Sequence, residues 1–302
     1  MRYETRMMAG TAARTAPRRH VRRKRRRLRS FVRCALTMSV LLVVAAGGIR
    51  LAGWVRTLFE QERTAADWQT EHVAVADGTA EAIAALAVRD GRAKEIARHP
   101  ENYPAAFLDA LAKNEEMLDF VLGFPAHSGD APAESLNESL DTVPLLLQWD
   151  ARWGYQTYGE STVAVSGCAP TCVAMVASHL TGDAKITPYA VAQYAAQQGY
   201  YVAGTGTSWD LIHTGVQHFG VASEELPLGE AQINAALDAG QPVICSMLPG
   251  DFTTTGHFIV LYARADGGYR VRDPFSRERS EKIWSYDTLS GQIGNLWACR
   301  RL

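Results

Sequence analysis

Residues 242–273 read PVICSMLPGDFTTTGHFIVLYARADGGYRVRD. Three strand-like runs stand in this stretch: PVICSML (242–248), HFIVLYA (257–263) and YRVRD (269–273). Asp266-Gly267-Gly268 separates the second from the third. Such a pair of turn residues supplies the positive φ that a tight hairpin needs. LWACR (296–300) adds a fourth strand. Helix signals come earlier. In TPYAVAQYAAQQG, Thr187 is an N-cap, Pro188 takes the first helical position and Gly199 follows the end. TSWDLIHTGVQHFG predicts one helix that starts at Thr207 or Ser208 and stops at Gly220, and EAQINAALDAG predicts another ending at Gly240. Helices first and strands later give an α+β domain over residues 142–302, without βαβ alternation.

The 302 residues are 47% apolar and 21% charged, an ordinary globular composition that excludes a mainly disordered chain, a collagen and a polytopic membrane protein. The net charge of −1 conceals a split. Residues 1–33 carry thirteen Lys/Arg against Glu4 alone, whereas the remainder carries eighteen against thirty-one acids. Nothing in the acidic body calls for nucleic acid, whose phosphates demand a basic face. No cofactor motif is present. Five cysteines are too few for a disulfide scaffold.

The basic tail 1–33 runs into CALTMSVLLVVAAGGI (34–49), which holds no charge. At ~1.5 Å per residue these sixteen residues fall short of the ~30 Å hydrocarbon core. Extension to Val55 gives adequate length, with Arg50 snorkelling and Trp54 at the interface. Residues 34–55 are therefore expected to be a signal anchor. The positive-inside rule puts the N-terminus in the cytoplasm and residues 56–302 outside the cell membrane. A cleaved signal peptide is the alternative, because AAGG at 45–48 offers small residues. Residues 56–141 read as helical lead-in and linker. AEAIAALAV (80–88), RAKEIAR (92–98) and AAFLDALAKNEEMLDFVLGF (105–124) are helix-like, split by Asp90-Gly91, Pro100 and Pro104, and HSGDAPAES (127–135) reads as a linker. This region is either a free stalk or packed on the domain that follows.

Chemistry concentrates in SGCAPTCVAMVASHLTG (166–182). Pro170 is tolerated only in a first turn, so the helix begins near Cys168 and stops at Gly182. A thiol at a helix N-terminus is favoured as thiolate. The dipole supplies ~0.3–1 kcal/mol, up to ~2 when partly buried. At ~1.4 kcal/mol per unit, that moves a thiol of pKa ~8.5 by about one unit. Full activation needs an adjacent imidazolium. His179 lies eleven residues on, ~16 Å along the same helix, and does not reach. His213 and His218 sit within a predicted helix. His257 opens a strand after Gly256, and Asp273 closes the next strand before Pro274, so Asp273 can accept from the His257 ring. Cys168, His257 and Asp273, each at an element end, point to nucleophilic catalysis. Cys172, one turn into the helix, reads as core. A zinc site using both helix cysteines lacks a CxxC pair, and a Cys172–Cys245 or Cys245–Cys299 disulfide stays open.

VPLLLQWDARWG (143–154), GCAPTCVAMVASHLTG (167–182), GTSWDLI (206–212), GQPVICSMLPGDFTTTGHFIVL (240–261) and VRDPF (271–275) together resemble the bacterial peptidase family C-thirty-nine-like domain, a relative of the double-glycine bacteriocin-processing peptidases. The resemblance implies a papain-like α+β fold and a peptide or protein substrate. It makes Cys168 the nucleophile, His257 the base and Asp273 the orienting acid. Gln148 in LLLQWD is the matching oxyanion donor, although it lies twenty residues before the cysteine instead of a few. Gly167-Cys168-Ala169 stands where GCG is more usual. The expectation is a membrane-anchored extracytoplasmic thiol hydrolase. An inactive relative serving as a surface binding module, with Trp149, Trp153, Tyr155, Tyr158, Tyr200, Tyr201 and Trp209 as candidate groove aromatics, is one alternative. An acyl transferase is the other.

Overall fold

The computed structural model describes residues 74–302, all within one compact unit, Glu60–Leu302. The basic tail and the expected anchor 34–55 lie outside the described residues. Among the described residues no helix is long and apolar enough to cross a membrane.

The lead-in holds helices α1 (Thr79–Arg89), α2 (Lys94–Arg98), α3 (Ala105–Lys113) and α4 (Leu118–His127). A small hairpin, β1 (Thr157–Tyr158) with β2 (Ser161–Thr162), precedes α5 (Val163–Ser166) and the central helix α6 (Cys168–Thr181). Then come α7 (Pro188–Gln197), the hairpin of β3 (Tyr201–Val202) and β4 (Gly206–Thr207), and α8 (Asp210–His213). The remainder is β5 (Val221–Glu225), α9 (Glu230–Asp238), β6 (Val243–Met247), β7 (His257–Ala265), β8 (Gly268–Arg272), α10 (Arg277–Glu281), β9 (Ile283–Trp284), α11 (Tyr286–Ser290) and β10 (Ile293–Arg301).

The large sheet has strand order β5-β10-β6-β7-β8-β9, each pair antiparallel. The quoted stretch supplies its centre. Met247 pairs with His257, Val260 with Arg272, and Ala265 with Gly268 across a two-residue turn. Gly267 there has φ 82°, which explains the Asp-Gly signal. Alternate residues serve opposite faces. Phe258 and Val260 join Val173 and Ala177 of α6, whereas Ile259 and Leu261 join Ile233 of α9. The α+β reading holds. Thr187 caps α7 by accepting the Ala190 N–H at 3.1 Å, and Gly182 ends α6 in the left-handed region at φ 75°.

Two expectations change, and one strand is new. The run 105–124 is two helices, because Asn114 adopts an extended conformation and its side chain accepts the Glu116 N–H while donating to the Phe275 carbonyl. A residue suited to caps is used here for a tertiary bond. The helix expected over 207–220 breaks at Thr214 into α8 and a 3₁₀ turn, Gly215–Phe219, before Gly220 closes it at φ 73°. Gly215 packs against Tyr200 and Leu211 so closely that a Cβ would sit 2.9 Å from the ring. Edge strand β5, VASEE, carries no apolar alternation and is defined by pairing with β10.

Of the two readings of the lead-in, the described helices take the packed one. Ile83, Phe107, Leu111, Phe120 and Val121 share a buried cluster with Leu147, Trp149, Tyr155 and Ala164. Phe120 stacks on Tyr155 with ring centroids 4.3 Å apart, and the Tyr155 hydroxyl donates to the Phe120 carbonyl at 2.6 Å. Phe120→Ala is therefore expected to cost about 3–5 kcal/mol. Urea unfolding followed by tryptophan fluorescence and far-UV circular dichroism should show one early, coincident transition. Loss of lead-in helicity alone, ahead of the sheet, would contradict the shared core.

Candidate active site

The site forms at the end of the sheet where β7 begins and β8 finishes, facing the N-terminus of α6. Cys168 is the first residue of α6 and is partly exposed in a cleft of about 440 Å³. Its N–H has no backbone acceptor among the described residues. The carbonyl four residues back, Ala164 O, accepts instead from Gln148 Nε2 at 2.7 Å. Gly167 is needed for a contact within the chain. A Cβ there would lie 2.4 Å from the Val163 carbonyl, so the glycine admits the preceding turn.

His257, 8% exposed, lines the same cleft as Cys168. Its Nε2 lies 2.8 Å from Asp273 Oδ1, which leaves Nδ1 for the sulfur. Asp273 is fully buried and saturated. Oδ1 also accepts the Phe275 N–H at 2.7 Å, Oδ2 accepts from Arg279 Nε, and the Asp273 N–H donates to Ser280 Oγ at 2.8 Å. Burial pushes the Asp273 pKa up, but the positive charges of His257 and Arg279 and their hydrogen bonds outweigh it and hold the carboxyl below its ordinary value. Burial alone would lower the His257 pKa. The Asp273 carboxylate and the Cys168 sulfur reverse that and raise it to about 9.

The sequence-predicted residues Cys168, His257, Asp273 and Gln148 are thus brought into one place. Gln148, 2% exposed, lines the cleft and is tied by its N–H to the Pro274 carbonyl at 2.8 Å, while Trp149 Nε1 donates to Phe275 O at 2.8 Å. Ala169 is buried in the core and does not line the cleft, so its methyl leaves the sulfur free. The candidate groove aromatics do not form a groove. Trp149, Trp153, Tyr155 and Tyr158 are buried, and Trp209, exposed, sits on Trp297. His179 Nδ1 is spent on Leu140 O.

Sequence reading missed Arg279, Ser280 and Glu116. Ser276 caps α10 by accepting the Arg279 N–H at 3.1 Å, and that capped helix carries Arg279 and Ser280 under Asp273. Glu116 of the lead-in accepts from Ser276 Oγ at 2.6 Å and Arg277 N at 2.9 Å. A serine before a charged run hinted at the cap. Nothing local hinted at a partner 160 residues away.

A model of the Peptidase_C39 like family matches residues 140–299. The chain belongs to that family. No curated protein matches it. Peptidase_C39 like membership carries a cysteine-peptidase-like function and a peptide or protein substrate. The family match begins after the four lead-in helices, so Glu116 and Asn114 support the site from outside the matched region.

Cys168, Cys172, Cys245 and Cys299 are free thiols, so neither disulfide left open by the sequence is formed. Burial pushes Cys172 and Cys245 well above an ordinary thiol and Cys299 up to about 12. Iodoacetamide at neutral pH should therefore alkylate Cys168 at least about a hundredfold faster than these three, read by peptide mass mapping, since the thiolate is the reacting form. Equal, slow labelling would refute an activated Cys168.

The His257 shift also sets a pH dependence. A group whose pKa rises on folding stabilises fully below its unfolded value, near 6.5, and loses that contribution as pH climbs through about 9. Asp273, depressed on folding, contributes above its unfolded value and loses stability as pH falls below it. The urea midpoint of the wild type should drop between pH 6.5 and 9.5, and a His257→Gln variant should lack that slope.

Proposed function

We propose that this protein is a membrane-anchored extracytoplasmic cysteine peptidase or amide hydrolase that works through Cys168, His257, Asp273 and Gln148. One observation carries the reading. A partly exposed thiol at a helix N-terminus meets a buried imidazole that is backed by a saturated carboxylate.

The Cys168 thiolate attacks the scissile carbonyl carbon, and a carbon–sulfur bond forms. The resulting oxyanion is received by the unpaired Cys168 N–H and the second hydrogen of Gln148 Nε2. The His257 imidazolium gives its Nδ1 proton to the leaving amine, and the carbon–nitrogen bond breaks. Water then attacks the thioester, its proton passing to Nδ1, and the acid leaves with the thiolate restored. Asp273 stays ionised throughout, holding the ring by Nε2 and stabilising its charged form. If an amine takes the place of water, the same steps perform acyl transfer. The anchor is supported by the basic tail followed by the uncharged segment 34–49 and by the positive-inside rule.

The test uses the full-length protein on a peptide mixture with product analysis, with and without an added amine. Cys168→Ala should abolish cleavage. Gln148→Ala should lower kcat about 10²–10³-fold with a smaller change in KM, as loss of one oxyanion donor does. Cleavage by Cys168→Ala at the wild-type rate would refute the mechanism, and a new amide formed with the added amine would reassign it to acyl transfer. The chain should also stay in the membrane pellet after an alkaline carbonate wash.

A further inference from the structure

The cleft that holds Cys168 and His257 has two walls. One is the Gly250–Gly256 loop. It is stapled by Gln292, whose Oε1 accepts the Asp251 N–H and whose Nε2 donates to Asp251 Oδ2, both at 2.6 Å. Phe252 is seated against Trp284 with ring centroids 4.4 Å apart. The other wall is α3, which presents Ala106, Asp109, Ala110 and Lys113. That spacing of three, four and seven residues is one face of a helix. Its opposite face, Phe107, Leu108 and Leu111, is in the lead-in core, and Ala110 at the boundary is buried with them. The helix is therefore amphipathic between a packed side and the cleft, and it lies outside the family-matched residues 140–299.

The charges on these walls are unequally engaged. Asp109 Oδ1 accepts the Ala76 N–H at 2.8 Å and the Thr79 hydroxyl at 2.7 Å. Asp251 is held by Gln292, and Arg279 is bound to Asp273. Lys113 is exposed, lines the cleft, and has no hydrogen bond or ion pair among the described residues. Among the described residues on these walls it is a cation with no partner at all, on the same helix face as the exposed Ala106, which leaves room for a chain to lie along the helix.

We propose that α3 is the substrate-reading wall of the cleft, with Lys113 selecting an acidic side chain on the bound peptide. This rests on the peptidase reading for its biological meaning. It makes the lead-in a standing part of the enzyme, and neither a spacer nor an inhibitory segment to be removed.

The test reads covalent labelling, so it does not depend on turnover. Full-length protein is treated with matched tripeptidyl chloromethyl ketones that carry Glu or Lys at each position in turn, and alkylation is scored on the Cys168 peptide. At one position the Glu member should react about two- to fivefold faster than the Lys member, the range of a partly exposed ion pair. Lys113→Glu should reverse that ratio. Ala106→Trp, at an exposed position, should slow every tripeptidyl probe and leave iodoacetamide unaffected. The same Glu-to-Lys ratio in wild type and Lys113→Glu, or tripeptidyl labelling of Ala106→Trp at the wild-type rate, would overturn the proposal. A wild type that shows the preference and its reversal but cleaves no peptide keeps the reading wall and loses the hydrolase.

Discussion

A carboxylate with no access to water governs this molecule. Asp273 is fully buried, and an ionised carboxyl in that position is tolerable only when its lone pairs are taken by charged or polar hydrogens. His257, Arg279 and the Phe275 N–H do this, while Ser280 takes the Asp273 N–H. Those partners must then be held themselves. The five-residue helix α10 carries Arg279 and Ser280, too short to be stable alone, and is capped by Ser276 and braced by Glu116 from the lead-in. The need to satisfy one buried charge thus reaches back across most of the described chain.

The same chain of bonds aligns the rest of the site. Gln148 and Trp149 are strapped to the carbonyls of Pro274 and Phe275, directly after Asp273. Gln148 then caps the Ala164 carbonyl and leaves the Cys168 N–H unpaired. A donor without an acceptor beside a thiol is a cost in folding and an asset in acyl chemistry, where negative charge develops at that spot. The sheet contributes rigidity, since β6 and β8 flank β7 and hold His257 at its mouth. The lead-in contributes both the brace and one wall of the cleft.

Much of this was legible along the chain. Pro170 and Gly182 bracket α6 and put Cys168 at its start, because a proline ring fits only a first turn and a left-handed residue closes a helix. The Asp-Gly turn and the apolar runs around it specify the β7–β8 hairpin, and with it the approach of His257 to Asp273. What stayed hidden depends on contacts that leave no local trace. Asn114 breaks a helix-like run to bind Phe275, 161 residues on, and β5 is a strand because β10 offers it a ladder. Arg279 and Glu116 look like ordinary surface charges until the fold places a buried acid and an exposed helix end beside them.

By itself the sequence determined the α+β order of elements, the helix that starts at Cys168, the strand that starts at His257 and the acid that ends the next strand. These follow from φ restrictions, cap chemistry and alternation, which act over a few residues. Only the tertiary structure decided that the lead-in belongs to the same core, that Gln148 reaches the short helix α5 just before the thiol, and that Arg279 and Glu116 stand behind Asp273. Those choices are made by burial and charge pairing between distant segments, and such energies exist only once the chain has closed on itself.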